Sequence, residues 1–182
     1  MEYRKLVTNP NAYYLTLSAT GWLDEWNDGE LDLLTKALDN ISGQTPEYLV
    51  FALGEYSLNP DGVCTPEDYK KTLLDLFSAF NLPIDASEIK AEKSGSKISL
   101  TVKNDKGKIN WTFSQEDDWL HDDFLDFIND ELLPLWDEDK VFHPLPPAES
   151  TIDIVFQYPE VIEAAYEAGI IPDDDFFLTD RA

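Results

Sequence analysis

Two stretches of this chain alternate strictly between apolar and polar residues. Lys97 to Lys103 (Lys-Ile-Ser-Leu-Thr-Val-Lys) and Lys108 to Phe113 (Lys-Ile-Asn-Trp-Thr-Phe) both keep a period of two, as expected of strands with one buried face. Asn104-Asp105-Lys106-Gly107 joins them into a hairpin, with Gly107 available for a positive φ. Ile98, Leu100 and Val102 then face the same way as Ile109, Trp111 and Phe113, and Ile89 to Lys93 precedes them as a third antiparallel strand. Ala12 to Ser18, with the β-formers Tyr14 and Leu15, reads as a strand near the start. Tyr48 to Leu53 is a continuous apolar run that reads as a buried strand, and Ile152 to Tyr158 as the last strand.

Elsewhere the apolar spacing changes to three and four, which predicts helices. Leu31, Leu34, Leu38 and Ile41 place one over Glu30 to Ile41, after the turn Asn27-Asp28-Gly29 and before Gly43. After the turn Asn59-Pro60-Asp61-Gly62, the run Thr65-Pro66-Glu67-Asp68 opens another. There Thr65 can cap, Pro66 suits the first helical position and Asp68 stands three residues on. Tyr69, Leu73, Leu76, Phe77 and Phe80 mark the buried face of that helix. Leu120, Phe124, Phe127, Ile128 and Leu132 predict a long helix over residues 115–133. Pro144, Pro146 and Pro147 mark an extended connection, and Pro159 to Ala168 a last helix with Gly169 as its C′ residue. Helices interleaved with adjacent hairpin strands imply an α+β fold, with a largely antiparallel sheet and helices packed mainly on one face. Residues 1–172 are expected to form a single domain, followed by an acidic tail over 173–182.

Composition narrows the class. The 182 residues are 43% hydrophobic and 13% aromatic, enough for a folded core. No apolar run reaches the length of a membrane span, and Met1-Glu2-Tyr3-Arg4-Lys5 leads into no apolar segment of a secretory signal. The lone Cys64 cannot form an intrachain disulfide. A cytoplasmic, reducing location is the expectation.

Charge changes the picture most. The formal net charge is -24, against a magnitude of roughly 2–8 for an ordinary small domain. Residues 61–115 hold eight acids and eight bases, whereas residues 116–182 hold twenty acids and two bases. A general solubility effect would spread the acids evenly, so this asymmetry points to a directed acidic face. On the predicted 115–133 helix, Asp118, Asp122, Asp126 and Asp130 follow at four-residue steps and form one ridge. Such like-charge neighbours cost a helix roughly 0.2–0.5 kcal/mol per pair. Only Asp117 and Asp118 would gain from the helix dipole. Trp119 and Asp123 lie beside the ridge, and Trp is enriched where interfaces concentrate their energy. A second cluster, Trp22, Asp24, Glu25 and Trp26, sets two aromatics among acids. Its bland reading is a loop stapled to the core by its rings. Asp173-Asp174-Asp175-Phe176-Phe177 reads as a solvated terminus.

Trp119, the aspartate row and the acidic final third together resemble, at the level of class, the acidic immunity proteins of bacterial nuclease toxins of the polymorphic or contact-dependent kind. The resemblance implies a basic protein partner, a toxin domain whose nucleic-acid cleft is met by carboxylates and aromatics. It implies no direct contact with nucleic acid or membrane. The alternatives are a nucleic-acid mimic, in which the aspartates stand in for phosphates, an adaptor domain, and an enzyme built on a carboxylate or histidine.

Catalytic and metal motifs are missing from the sequence. His121 falls on the predicted long helix and His143 in the Phe142-His143-Pro144 connection, neither beside a recognisable nucleophile motif. Asp24 to Thr35 superficially resembles a calcium loop, but Trp26 and Thr35 occupy positions that need oxygen ligands. No zinc spacing, phosphate-binding glycine loop or nucleophile elbow is present. The chain is therefore expected to be a binding protein without cofactor or metal, and not an enzyme.

Overall fold

The computed structural model describes residues 9–39, 56–146 and 151–172, together with Leu6 and Leu53. The fold is α+β, with helices and two small antiparallel three-stranded sheets. The chain groups into two compact units, Met1–Ser57 with His143–Ala182, and Leu58–Phe142.

The first unit opens with α1 (Pro10–Ala19), where the sequence suggests a strand. Local chemistry decides the difference. The Asn9 side chain accepts from the Ala12 amide at 3.1 Å and Pro10 stands at the first helical position. Tyr13 and Leu17, four residues apart, are buried, while Leu15 is 67% exposed, a helical pattern and not an alternating one. In α2 (Asp28–Asp39) the helix starts two residues earlier than its apolar spacing suggests. Asn27 Oδ1 accepts from the amides of Gly29 and Glu30, and the Glu30 carboxylate accepts from the Asn27 amide at 2.7 Å. Leu34 and Leu38 are its buried residues. Ile41, Gly43 and most of the predicted 48–53 strand lie outside the described residues, although Leu53 is buried.

One sheet has the order β1-β6-β5, from β1 (Tyr56–Leu58), β6 (Ile152–Gln157) and β5 (Val141–Pro144). The last two bracket the connection marked by prolines, so Pro144 ends a strand that the proline pattern hid. The helix after β6, α5 (Pro159–Glu167), ends as expected. Gly169 takes φ 74°, its amide reaches Tyr166 O and that of Ile170 reaches Ala165 O, the paired bonds of a Schellman motif.

The second unit contains α3 (Pro66–Ala79), β2 (Ile89–Ser94), β3 (Lys97–Lys103) and β4 (Lys108–Ser114). Strand order is β2-β3-β4 and both pairings are antiparallel. Ile98 faces Phe113, Leu100 faces Trp111 and Val102 faces Ile109, the register that the alternation implies. α3 lies against β2 and β3, burying Tyr69, Leu73, Leu76 and Phe77. The β3–β4 loop departs from expectation at Gly107, which does not adopt a positive φ. Asn104 Oδ1 instead accepts from the amides of Lys106 and Gly107. A Cβ on Gly107 would stand 3.1 Å from Leu135 Cδ2, so a larger residue there would have to push that methyl aside by a few tenths of an ångström.

The largest correction concerns residues 115–133, which do not form one helix. Residues 115–123 carry no helix, and α4 (Phe124–Phe127) runs on as a π-helical turn over Ile128–Leu132 and a 3-10 turn over Leu133–Trp136. Pro134 has no amide to give to the carbonyl four residues back, and its ring would collide with that carbonyl in a regular helix. The hydrogen-bond register changes through this stretch accordingly. The apolar face survives, since Phe124, Phe127, Ile128 and Leu132 are all buried. The expected dipole gain of Asp117 and Asp118 does not arise, because the helix begins at Phe124.

At the start of α3, Thr65 Oγ1 accepts from the Asp68 amide and the Asp68 carboxylate accepts from the Thr65 amide at 2.8 Å. The bond from the Thr65 hydroxyl, first among several causes, holds the Asp68 carboxyl below its usual 3.8. A depressed folded-state pKa adds stability above the unfolded value, and that stability is lost as pH falls through the folded one. Thr65→Ala is expected to lower the unfolding free energy by about 1 kcal/mol in urea titrations at neutral pH. The gap from wild type should shrink once pH drops below 3.8. A gap that persists in acid would show that the cap does not act through the ionised carboxylate.

Candidate partner-binding loop

Residues 115–123, which leave the end of β4, make lateral hydrogen bonds in place of helical ones. Gln115 Nε2 donates to the carbonyls of Asp117 and Trp119, both at 2.8 Å. The Trp119 amide donates to Asp117 Oδ1 at 3.0 Å, a local aspartate turn that competes with helix. Trp119 is also bridged antiparallel to Asp61. The Gly62 amide donates to Asp118 O at 2.8 Å and the Leu120 amide to Pro60 O at 2.9 Å. The Asn59–Gly62 turn therefore acts as a short partner strand, and Gly62 at φ 80° supplies the bend.

The third anchor comes from α3. Tyr69 Oη donates to Gln115 Oε1 at 2.7 Å and accepts from the His121 amide at 2.8 Å. Its ring sits edge-on to Phe113, with centroids 4.8 Å apart, and to Phe124 at 5.7 Å. Burial, with the Asp117 charge adding to it, pushes the Tyr69 hydroxyl up to about 12. It stays a neutral donor across the physiological range. His121 sits beneath the loop against Phe113 and Trp111, at 4.8 and 5.5 Å, and not on a helix as its position in the sequence implies.

Four of the expected site residues, Asp118, Trp119, Asp122 and Asp123, come together on this loop, joined by Glu116 and Asp117. Trp119 is 48% exposed and helps line a depression of about 290 Å³, with Gln115, Glu116, Asp117, His121 and Asp122 around it. Asp126 and Asp130 follow on the helical segment, both exposed. The four aspartates at four-residue spacing therefore occupy a bend, a turn and two helical turns, and they do not form one ridge. Among the described residues no Lys or Arg pairs with Glu116, Asp117, Asp118, Asp122, Asp126 or Asp130. His121 Nδ1 accepts from the Asp123 amide at 3.2 Å and lies 3.9 Å from the Asp123 carboxylate.

The second cluster belongs to the first unit. Trp22 is 1% exposed, a core side chain and not a surface anchor. Its carbonyl accepts from buried Gln157 at 3.4 Å. Asp24 and Glu25 are exposed, Trp26 is half-buried, and Glu25 accepts from the Tyr158 hydroxyl at 3.3 Å. The bland reading of this stretch, a loop stapled inward by an aromatic, describes Trp22. Sequence reasoning missed Tyr69 and Gln115 as loop anchors. The available signal was a tyrosine placed on an otherwise apolar helix face, since a buried hydroxyl needs a partner.

The other titratable candidates do not converge. His143 Nε2 is 2.9 Å from the Tyr166 hydroxyl, and Cys64 is a half-buried thiol. Among the described residues no three His, Cys, Asp or Glu side chains are grouped to hold a metal ion, and no helix is long and apolar enough to cross a membrane. The chain matches no family model, no curated protein and no solved structure. Fold and site together define an α+β protein that presents an exposed tryptophan within a pinned acidic loop.

Tyr69→Phe removes one hydroxyl and leaves two part-buried partners unmatched. The change is expected to cost about 1–3 kcal/mol in stability and to speed hydrogen exchange at the His121 amide far more than at amides of β3. Uniform acceleration across the unit would show that the hydroxyl does not anchor the loop.

Proposed function

We propose that this chain is an acidic binding protein that neutralises a basic protein partner, and that the partner is a nuclease toxin which the chain holds inactive as an immunity protein. The observation that carries the reading is Trp119, half-exposed and hydrogen-bonded in place between carboxylates that no lysine or arginine pairs with among the described residues. An aromatic that is fixed before binding loses little entropy on docking. Unmatched charge around it speeds the approach of a basic surface and selects for it. A nuclease is basic over its substrate cleft because it binds phosphates, which makes it a natural match for this loop.

The nucleic-acid mimic depended on a regular row of aspartates in place of phosphates. With its members in different backbone settings, that row is gone, and no other observation favours the mimic.

The test is capture of partners from the native cell by the full chain at low and at high salt. A single basic protein should be retained at low salt and released as salt rises, because screening weakens exposed charge pairs beyond about 8–10 Å. Trp119→Ala should weaken that complex roughly 30-fold, near 2 kcal/mol. Charge-neutral Asn replacements at Asp118 and Asp122 should mainly slow association. A salt-insensitive complex, or indiscriminate retention of many DNA-binding proteins, would overturn the immunity reading.

A further inference from the structure

The second unit has another concave surface that shares no residue with the Trp119 loop. An open groove of about 480 Å³ lies between the 83–88 segment, the β3–β4 turn and the 3-10 turn at Leu133–Trp136, within the size range of binding clefts. Its apolar lining comes from Pro83, Ile84, Leu135 and Trp136, and its carboxylates from Asp85, Glu88 and Asp105. Lys106 also lines it but is paired with Asp137, so its charge is already matched.

These groups are set in place before any ligand arrives. The Trp136 indole N–H donates to Pro83 O at 2.6 Å, and its ring meets Phe77 edge-on at 5.2 Å. Asp85 Oδ1 accepts from the Ser87 amide and hydroxyl at 2.8 and 2.6 Å. Glu88 Oε2 accepts from the Asp85 amide at 2.8 Å. Each of these two carboxylates keeps its other oxygen uncommitted, and Asp105 makes no side-chain bond among the described residues. Held mainly by Ser87, with Lys70 contributing from nearby, the Asp85 carboxyl lies below its usual pKa and is ionised throughout the physiological range.

We infer that this groove takes an arginine-bearing extended segment of a protein partner. Charge complementarity selects a cation, because three carboxylates rim the groove and its only lining cation is already paired. The half-buried indole selects guanidinium over ammonium, since a planar, weakly hydrated cation can lie against an aromatic ring while its N–H groups reach carboxylates. The apolar lining suits aliphatic or proline neighbours on the same segment. This inference does not rest on the immunity reading, and a failure of either leaves the other standing.

The test titrates the labelled full chain with a blocked Leu-Arg-Pro tripeptide and with its citrulline counterpart, a neutral isostere, and follows amide and indole resonances. The arginine peptide should give saturable shifts at the Trp136 indole N–H and at the amides of residues 84–88 and 104–106, and the citrulline peptide none. Asp105→Asn, an exposed replacement with no bond to lose, should weaken binding about two- to fivefold, the scale of an exposed ion pair. Trp136→Phe should weaken it further. Trp119→Ala should leave it unchanged, which separates this groove from the acidic loop. Equal response to both peptides, shifts centred on residues 116–123, or no saturable binding would each overturn the inference.

Discussion

A single phenolic hydroxyl ties the acidic loop to the core of the second unit. Tyr69 is buried on α3 among Phe113, Trp111 and Phe124, yet its Oη lies between Gln115 Oε1 and the His121 amide. Burial makes both bonds matter, because an unmatched polar group away from water costs more than an ordinary hydrogen bond gains. Gln115 passes the constraint on by donating to two carbonyls of the loop. The loop that presents Trp119 therefore takes its shape from the α3 core and from the Asn59–Gly62 turn. Its carboxylates repel one another, and these bonds hold them together against that repulsion.

The second unit was legible wherever one local rule met no competitor. Alternation in β3 and β4 implied which faces meet, and the short four-residue connection set the register that places Leu100 opposite Trp111. Thr65, Pro66 and Asp68 announced the start of α3 because a cap is a property of a few adjacent residues. The errors arose where two rules competed. Tyr14 and Leu15 favour a strand by propensity, but the Asn9 cap and the Tyr13–Leu17 spacing win. Between 115 and 123 the apolar and acidic periods both suggested helix. Asp117 and Gln115 instead hydrogen-bond the local backbone, and the partner turn at 60–62 lies more than fifty residues away in the chain. Helical spacing alone could not reveal that contact.

The candidate site was legible as a region but not as a geometry. The charge count located the excess of acids after residue 115, and Trp119 stood out within it. The count could not show whether the lysines of the balanced middle third would neutralise those acids. They do not. Lys90 pairs with Glu92 on its own strand and Lys106 with Asp137. Lys97, Lys103 and Lys108 stay exposed at strand ends, with Lys103 directly opposite Lys108. Like charges facing across a strand pair are unfavourable. Acidic loop and lysine-bearing sheet thus keep separate charge within one compact unit, when mixing the two would have relieved repulsion in both.

That separation is the strongest argument that the acidity serves recognition and not only solubility. A chain selected for solubility gains from any arrangement of surface acids and has no reason to leave an indole exposed among them. Here the exposed indole sits where hydrogen bonds from two distant elements converge, and among the described residues no lysine or arginine pairs with the carboxylates beside it. Trp22, with a similar acidic neighbourhood in sequence, went into the core of the first unit. Acidic neighbours therefore did not by themselves keep a tryptophan at the surface. Trp119 is exposed because the Asp61 bridge and the Asp117 turn place it there. A partner able to cover that ring and supply the missing cations would relieve both unfavourable features of the loop in one contact.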